Sequence, residues 1–199
     1  MPKRFTEQEK QQIHEKMLQV AMQLFSTYGL KKTNVEDITR ACGISKGAFY
    51  LFYESKEQLF MDLLEISDQQ SKAQITKAFS DLEGFSKEEF KRVIIEMFSQ
   101  LNEYPILNLF KSDDYQYLIR KIDPEQIKAH VAHDAAFFRN LHAELQGKGI
   151  FRDVDPDTMN IFSTAMYLLS LHNELDSFMS YEKMLQIFVD MFADHILTS

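Results

Sequence analysis

Along most of this chain apolar residues recur at spacings of three and four, the period of one helix face. Ile13, Met17, Val20, Ala21, Leu24 and Phe25 form the first such face, opened by Thr6 and Glu9 at capping-box spacing and closed by Gly29. A short helix is predicted over Val35–Cys42, ended by Gly43, and another over Lys46–Tyr53 with Ser45 as N-cap. Ser55 with Gln58 opens a fourth, whose apolar positions Leu59, Leu63 and Ile66 run on through Ile75 and Phe79 towards Gly84. Ser86 with Glu89 starts a fifth through Phe90, Ile94, Met97, Phe98 and Leu101.

Pro105 interrupts the pattern, so 104–122 reads as a short helix plus an irregular connection. Asp123-Pro124 and Asp155-Pro156 each place an N-cap residue before proline at the first helical position. The first of these helices runs to Gly147 and Gly149 and the second to about Phe178; Ser180 begins a last helix that ends near His195. About nine helices result, an all-α chain. Composition agrees: there are only six glycines and four prolines, well below the usual share of about 12% for the two together. Tight turns are therefore few, which argues against sandwiches and barrels. Seventeen Phe, eight Tyr and ten Met supply a core of large, adaptable side chains, and the 199 residues suffice to bury one.

Charge divides the chain. Through Lys56 there are nine basic and six acidic residues, a net of +3; the remaining 143 hold 13 basic and 24 acidic, a net of −11. A basic head on an acidic body suits a polyanion-binding module joined to something that should not bind one. Helix, tight turn and helix across about 34–53 is the spacing of a helix-turn-helix unit. Ile38, Ala41, Ile44 and Phe49 supply its packing positions and Gly43 its turn. Five of the six glycines fall at helix ends; Gly47 falls inside a helix, where a missing side chain lets backbone approach a ligand. Beside it Lys46 offers a donor for a guanine edge or phosphate, and Tyr50 a hydroxyl one turn further along. Lys56 stands at a helix start, where a phosphate meets both its charge and the helix dipole.

The runs Leu24-Phe25-Ser26-Thr27-Tyr28-Gly29-Leu30-Lys31-Lys32-Thr33, Ile38-Thr39-Arg40-Ala41-Cys42-Gly43-Ile44-Ser45-Lys46-Gly47 and Phe49-Tyr50-Leu51-Phe52-Tyr53-Glu54-Ser55-Lys56-Glu57-Gln58-Leu59 closely resemble the DNA-binding domain of the TetR family. The resemblance covers about residues 8–60 without gaps. It implies a helix-turn-helix domain over 1–56, a ligand-binding and dimerisation domain over 57–199, and a cytoplasmic homodimeric transcriptional regulator. Such regulators are most often repressors, released from a palindromic operator by a small molecule. Carried over by position, Thr33 would touch a phosphate, Ser45, Lys46, Gly47, Ala48 and Tyr50 would face the major groove and backbone, and Lys56 would hold a phosphate. Two positions depart from the family pattern. Glu36 is an acid where basic side chains assist DNA contact, so the second helix is expected to read little. Leu51 and Phe52 replace residues that are often polar or His, which shifts specificity towards Lys46, thymine methyls and DNA shape.

In the body, Phe98, Leu101, Tyr104, Leu107 and Phe110, with Phe137, Phe138, Phe162, Met166 and Leu169, come from helices that would surround one interior, and Leu64 lies along the strut that enters it. The same residues build a filled core or line an apolar chamber; the resemblance favours the chamber. Tyr115, Tyr117, His172 and Asn173 are its candidate polar contacts. The helix over 155–178 is apolar on two stripes, and one of them carries Leu168 and Leu175. With Leu185, Phe188, Met191 and Phe192 of the last helix these are the expected dimer surface.

Catalytic and metal chemistry finds few footholds. His130, His133 and Asp134 are spaced to share a helical face, but no Cys or second ligand pair is near in sequence, and no metal or cofactor is expected. There is no Gly-rich phosphate loop and no nucleophile elbow. The single Cys42 precludes an internal disulfide and reads as a small buried residue rather than a redox sensor. The N-terminus leads into polar residues, not an apolar signal run, and the apolar stretch Met159 to Leu171 is too short for a bilayer. Two competing readings remain: a regulator controlled by a protein partner, and a helical ligand carrier that has lost DNA binding.

Overall fold

A computed structural model of the protein describes residues 5–80, 86–99, 114–170 and 180–198. Among them are nine helices: α1 (Glu7–Tyr28), α2 (Val35–Cys42), α3 (Lys46–Phe49), α4 (Lys56–Ser80), α5 (Lys87–Ser99), α6 (Asp114–Ile119), α7 (Pro124–Gly147), α8 (Thr158–Ser170) and α9 (Tyr181–Ile196). The pairing outside helices is a single antiparallel bridge between Phe151 and Leu197 among the described residues. The protein is all-α.

Local chemistry explains the boundaries. Thr6 and Glu9 form the capping box of α1, each side chain meeting the other's backbone N–H. Ser86 and Glu89 do the same ahead of α5, and Ser180 accepts from Lys183 N at the start of α9. Pro124 is the first residue of α7, as its fixed φ favours. Two expected helices come out shorter. After Asp155-Pro156 the chain makes a turn, with Asp157 N on the Asp155 carboxylate, before α8 begins at Thr158. The helix expected over Lys46–Tyr53 ends at Phe49, because Leu51 N bonds Ala48 O at 3.2 Å and Phe52 N bonds Phe49 O at 2.9 Å. Such i−3 bonds tighten the last turn away from the α-helix.

By contacts the chain forms two compact units, Met1–Gln69 with Pro105–Asp123, and Gln70–Tyr104 with Pro124–Ser199. In the first, α1 packs on α2 and α2 on α3. Met17, Ala21 and Phe25, one face of α1, are buried with Ile38, Phe49, Leu59, Phe60 and Leu63. Phe25 and Phe60 meet edge-on at 5.7 Å. Burying such a ring contributes about 2–3 kcal/mol, comparable to each of the buried Leu, Ile and Met side chains around it. Segment 114–122 belongs to the same unit: Leu118 and Ile122 are buried, and Asp114 accepts from Lys31 N at 2.8 Å.

In the second unit α5, α8 and α9 pack on one another and α7 packs on α8. Phe90, Phe98, Leu145, Phe151, Met166 and Val189 are part of one apolar cluster, against which Phe137, Phe138, Phe162 and Leu169 pack. Thr198 N and Arg152 N exchange bonds with Ile150 O and Ile196 O, which ties the last residues to the α7–α8 connection. Lys72 pairs with Asp134 at 2.7 Å and lies over the Phe137 ring. No helix among the described residues is long and apolar enough to cross a membrane.

Candidate nucleic-acid interface

The α2–α3 unit is assembled from the turn outward. Gly43 is left-handed, φ 72° and ψ 31°, and its N–H satisfies the carbonyls of Thr39 and Arg40; a side chain there would be strained. Lys16 of α1 donates to the Cys42 carbonyl at 2.9 Å, fastening the end of α2 to α1. Cys42 itself is buried, and that burial pushes its thiol up from the ordinary value, the setting of a packing residue rather than a sensor. Ser45 caps α3 by accepting from Ala48 N at 3.1 Å. Phe49 is fully buried, with the Tyr50 and Tyr53 rings at 5.4 and 6.0 Å.

What this packing leaves outside is one edge. Ser45, Lys46 and Gly47 are exposed, and Tyr50 and Leu51 are 50% and 72% exposed. A Cβ on Gly47 would meet only the Ser45 hydroxyl, at 3.9 Å, and its φ is not positive. Neither fold nor backbone requires glycine there. Lys46 Nζ sits 2.5 Å from Glu36 Oε1 across α2 and α3. The bond to Lys46 holds the Glu36 carboxyl below its usual range, and the bond to Glu36 holds the Lys46 ammonium above its own.

Three expected contacts take other roles. Thr33 is buried, and its hydroxyl donates to Gly29 O at 2.8 Å, so it braces the α1–α2 turn instead of offering itself to a phosphate. Ala48 is buried under α3, because a four-residue helix shows one edge and keeps the other inside. Lys56 Nζ donates to the carbonyls of Leu30 and Thr33, both at 2.7 Å, and of Lys31 at 3.2 Å, beneath the Tyr117 ring. Desolvation lowers its pKa, and its charge is spent on the turn. Tyr117, expected in the chamber, donates instead to Glu57 at 2.6 Å within this unit. Sequence reasoning passed over Glu36 as the partner of Lys46 and Leu51 as exposed apolar surface. The opposed charges ten residues apart were the only signal for the pair.

A polar chain supports the edge from behind. The Tyr53 hydroxyl donates to Asp62 Oδ2 at 2.9 Å and lies 2.6 Å from His14 Nε2. Burial first, and Asp62 second, hold the phenol far above its ordinary value, so it stays a donor. The proton in the His14 contact must then sit on Nε2. Residues of α1, the α3–α4 turn and α4 are joined through one buried oxygen.

Of the expected body residues, Leu101, Tyr104, Leu107, Phe110, His172, Asn173 and Leu175, and the side chain of Tyr115, lie outside the described residues. Phe98, Phe137, Phe138, Phe162, Met166 and Leu169 share the apolar cluster of the second unit, whereas Leu64 is buried in a segment of the first. Leu185 and Phe192, expected at a dimer surface, are buried in that same cluster. They fall on the stripe of α9 shared with Val189 and Ile196, which faces its own core. The opposite stripe is open: Ile187, Phe188 and Met191 are 52%, 40% and 62% exposed, and Ile161 and Leu168 on α8 are 63% and 53% exposed.

Residues 17–63 match the family model described as bacterial regulatory proteins, tetR family. Over that stretch the chain is similar to the TetR family. It is 37% identical over 65 residues to the HTH-type transcriptional regulator AcrR of Shigella flexneri, a stretch that covers 33% of this chain and 30% of that relative. The match thus spans under a third of that relative's length. Among solved structures it resembles SmeT, the repressor of the Stenotrophomonas maltophilia multidrug efflux pump SmeDEF. There the TM-score is 0.67 at 16% identity, covering 94% of this chain and 91% of that one, a likeness of fold alone. A SmeT–triclosan complex superposes with a TM-score of 0.66 at 16% identity, over 94% and 93% of the two chains. The residues matched by the family model fall within α1–α4.

Proposed function

We propose that this protein is a DNA-binding transcriptional regulator and not an enzyme, a repressor that holds a palindromic operator as a homodimer. One observation carries the reading: the side chains that α2–α3 packing leaves exposed, Ser45, Lys46, Tyr50 and Leu51, flank a glycine that the fold itself does not need. A donor, a hydroxyl, a bare backbone and an apolar side chain on one edge suit guanine acceptors, phosphate and a thymine methyl. A helical ligand carrier has no use for such an edge. Residues 1–56 are the reading domain in this account and 57–199 the effector and dimer domain.

The effector is an apolar or amphipathic small molecule held among aromatic and Met side chains of the second unit. The shared cluster of Phe98, Phe137, Phe138, Phe162, Met166 and Leu169 supports this, as does the triclosan complex of the structural neighbour SmeT. It releases DNA only by binding the DNA-free conformation more tightly, and operator must weaken its binding by the same factor. The test is selection of duplexes from a random pool, followed by titration of the winner and a scrambled duplex across salt. The expected result is a palindromic winner bound at least about a thousandfold more tightly than the scramble. Lys46→Ala flattens base preference in this assay, and a lipophilic inducer lowers operator affinity. Equal affinity for both duplexes at physiological salt removes the reading.

A further inference from the structure

Lys46 is the base-reading cation of the exposed edge, yet in the DNA-free protein its charge is already matched. Its ammonium lies 2.5 Å from the Glu36 carboxylate, each side chain is about half exposed, and the pair links the first turn of α2 to the first residue of α3. An exposed pair of this kind contributes little to stability; an acid in the first turn of α2 suits the helix dipole, yet this one stands on the face that meets a polyanion.

The consequences for recognition follow from what each partner accepts. A phosphate offers Lys46 only what Glu36 already provides, and it approaches a carboxylate to do so. Non-cognate backbone therefore gains nothing by taking the lysine. A guanine edge presents O6 and N7 as acceptors, while a carboxylate is acceptor-only and needs a donor. In the major groove that donor is cytosine N4–H2 or adenine N6–H2. Where a guanine stands beside such an amino group, both charges find partners without being separated from each other.

We infer that Glu36 is a specificity-determining residue: with Lys46 it forms a two-headed reader of a guanine next to an exocyclic amino group, and it taxes every other sequence. This departs from the expectation that α2 reads little, and it rests on the DNA-binding reading above.

The experiment compares wild type, Glu36→Gln, Glu36→Ala and each combined with Lys46→Ala, in random-pool selection and in titration of a scrambled duplex. Thermal melts confirm that each variant is folded. Glu36→Gln keeps the size of the side chain and removes its charge. With Lys46 present it raises affinity for the scrambled duplex several-fold. It also steepens the salt dependence by about 0.9 log unit per protomer, the value of one added phosphate contact. In selection, one position per half-site loses its preference for C or A, and Glu36→Ala shows the same loss. In the Lys46→Ala background the change at Glu36 does nothing to the salt slope.

Two results overturn the inference while leaving DNA binding intact: an unchanged selected sequence in both Glu36 variants, or an equal rise in scrambled-duplex affinity with and without Lys46, which is bulk charge alone. A wild-type protein that enriches no sequence removes the DNA-binding reading and this inference with it.

Discussion

Gly47 shows how a residue can be chosen against the interest of the fold. Its φ is not positive and a Cβ would make only an ordinary contact with the Ser45 hydroxyl, so alanine fits the native backbone. Replacing glycine with alanine at such a position narrows the unfolded ensemble and stabilises by about 0.4–1 kcal/mol. The same methyl stands between α3 backbone and any DNA that approaches it. Gly47→Ala is expected to raise the melting temperature while weakening operator binding by about tenfold or more, the scale of one lost base-pair contact. Differential scanning calorimetry and operator titration read the two effects separately. A variant that is more stable and binds as well as wild type contradicts the role given to the bare backbone.

At the scale of elements, the reading unit is fastened at its back by polar bonds as well as by aromatic packing. Tyr53 binds α4 through Asp62 and α1 through His14, while Lys56 at the start of α4 binds three carbonyls of the α1–α2 turn. Tyr53→Phe keeps the ring beside Phe49 and removes both bonds of the hydroxyl. Asp62 and His14 are only half-buried, so water replaces part of what is lost. A cost of about 1–2 kcal/mol is expected, a drop of about 2–8 °C for a chain of this size. An unchanged melting temperature would show that the bridge carries no net stability. Chemical denaturation adds a check, since the ring is retained and the slope should not change.

At the scale of the whole molecule, α9 is two-sided. Leu185, Val189, Phe192 and Ile196 face the core of the second unit, and Ile187, Phe188 and Met191 do not. With Ile161 and Leu168 of α8 they form an apolar surface that a lone protomer leaves in water. A second copy presenting the same two helices covers it by two-fold symmetry, and a palindrome requires two reading heads. The double variant Phe188→Asp, Met191→Glu is expected to sediment as a folded monomer at micromolar concentration, where wild type sediments as a dimer. Its operator affinity falls with it. A variant that still sediments as a dimer places the interface elsewhere.

Much of this was legible in the chain because it is local. Capping boxes at Thr6 and Ser86, the proline after Asp123 and the left-handed Gly43 each act within a few residues, so spacing alone located α1, α5, α7 and the end of α2. The continuous runs from Leu24 to Leu59 carried the family resemblance for the same reason. Which side chains face out was not local. Ala48 and Thr33 look available in sequence and are buried; Leu185 and Phe192 share a helix with Met191 but face the other way. Lys46 and Lys56 are the same residue type ten positions apart, and packing alone separates them. One is exposed beside a carboxylate; the other is half-buried, its three donors already taken by carbonyls. A charge takes its function from the dielectric and the partners around it, and those are set by which helices meet.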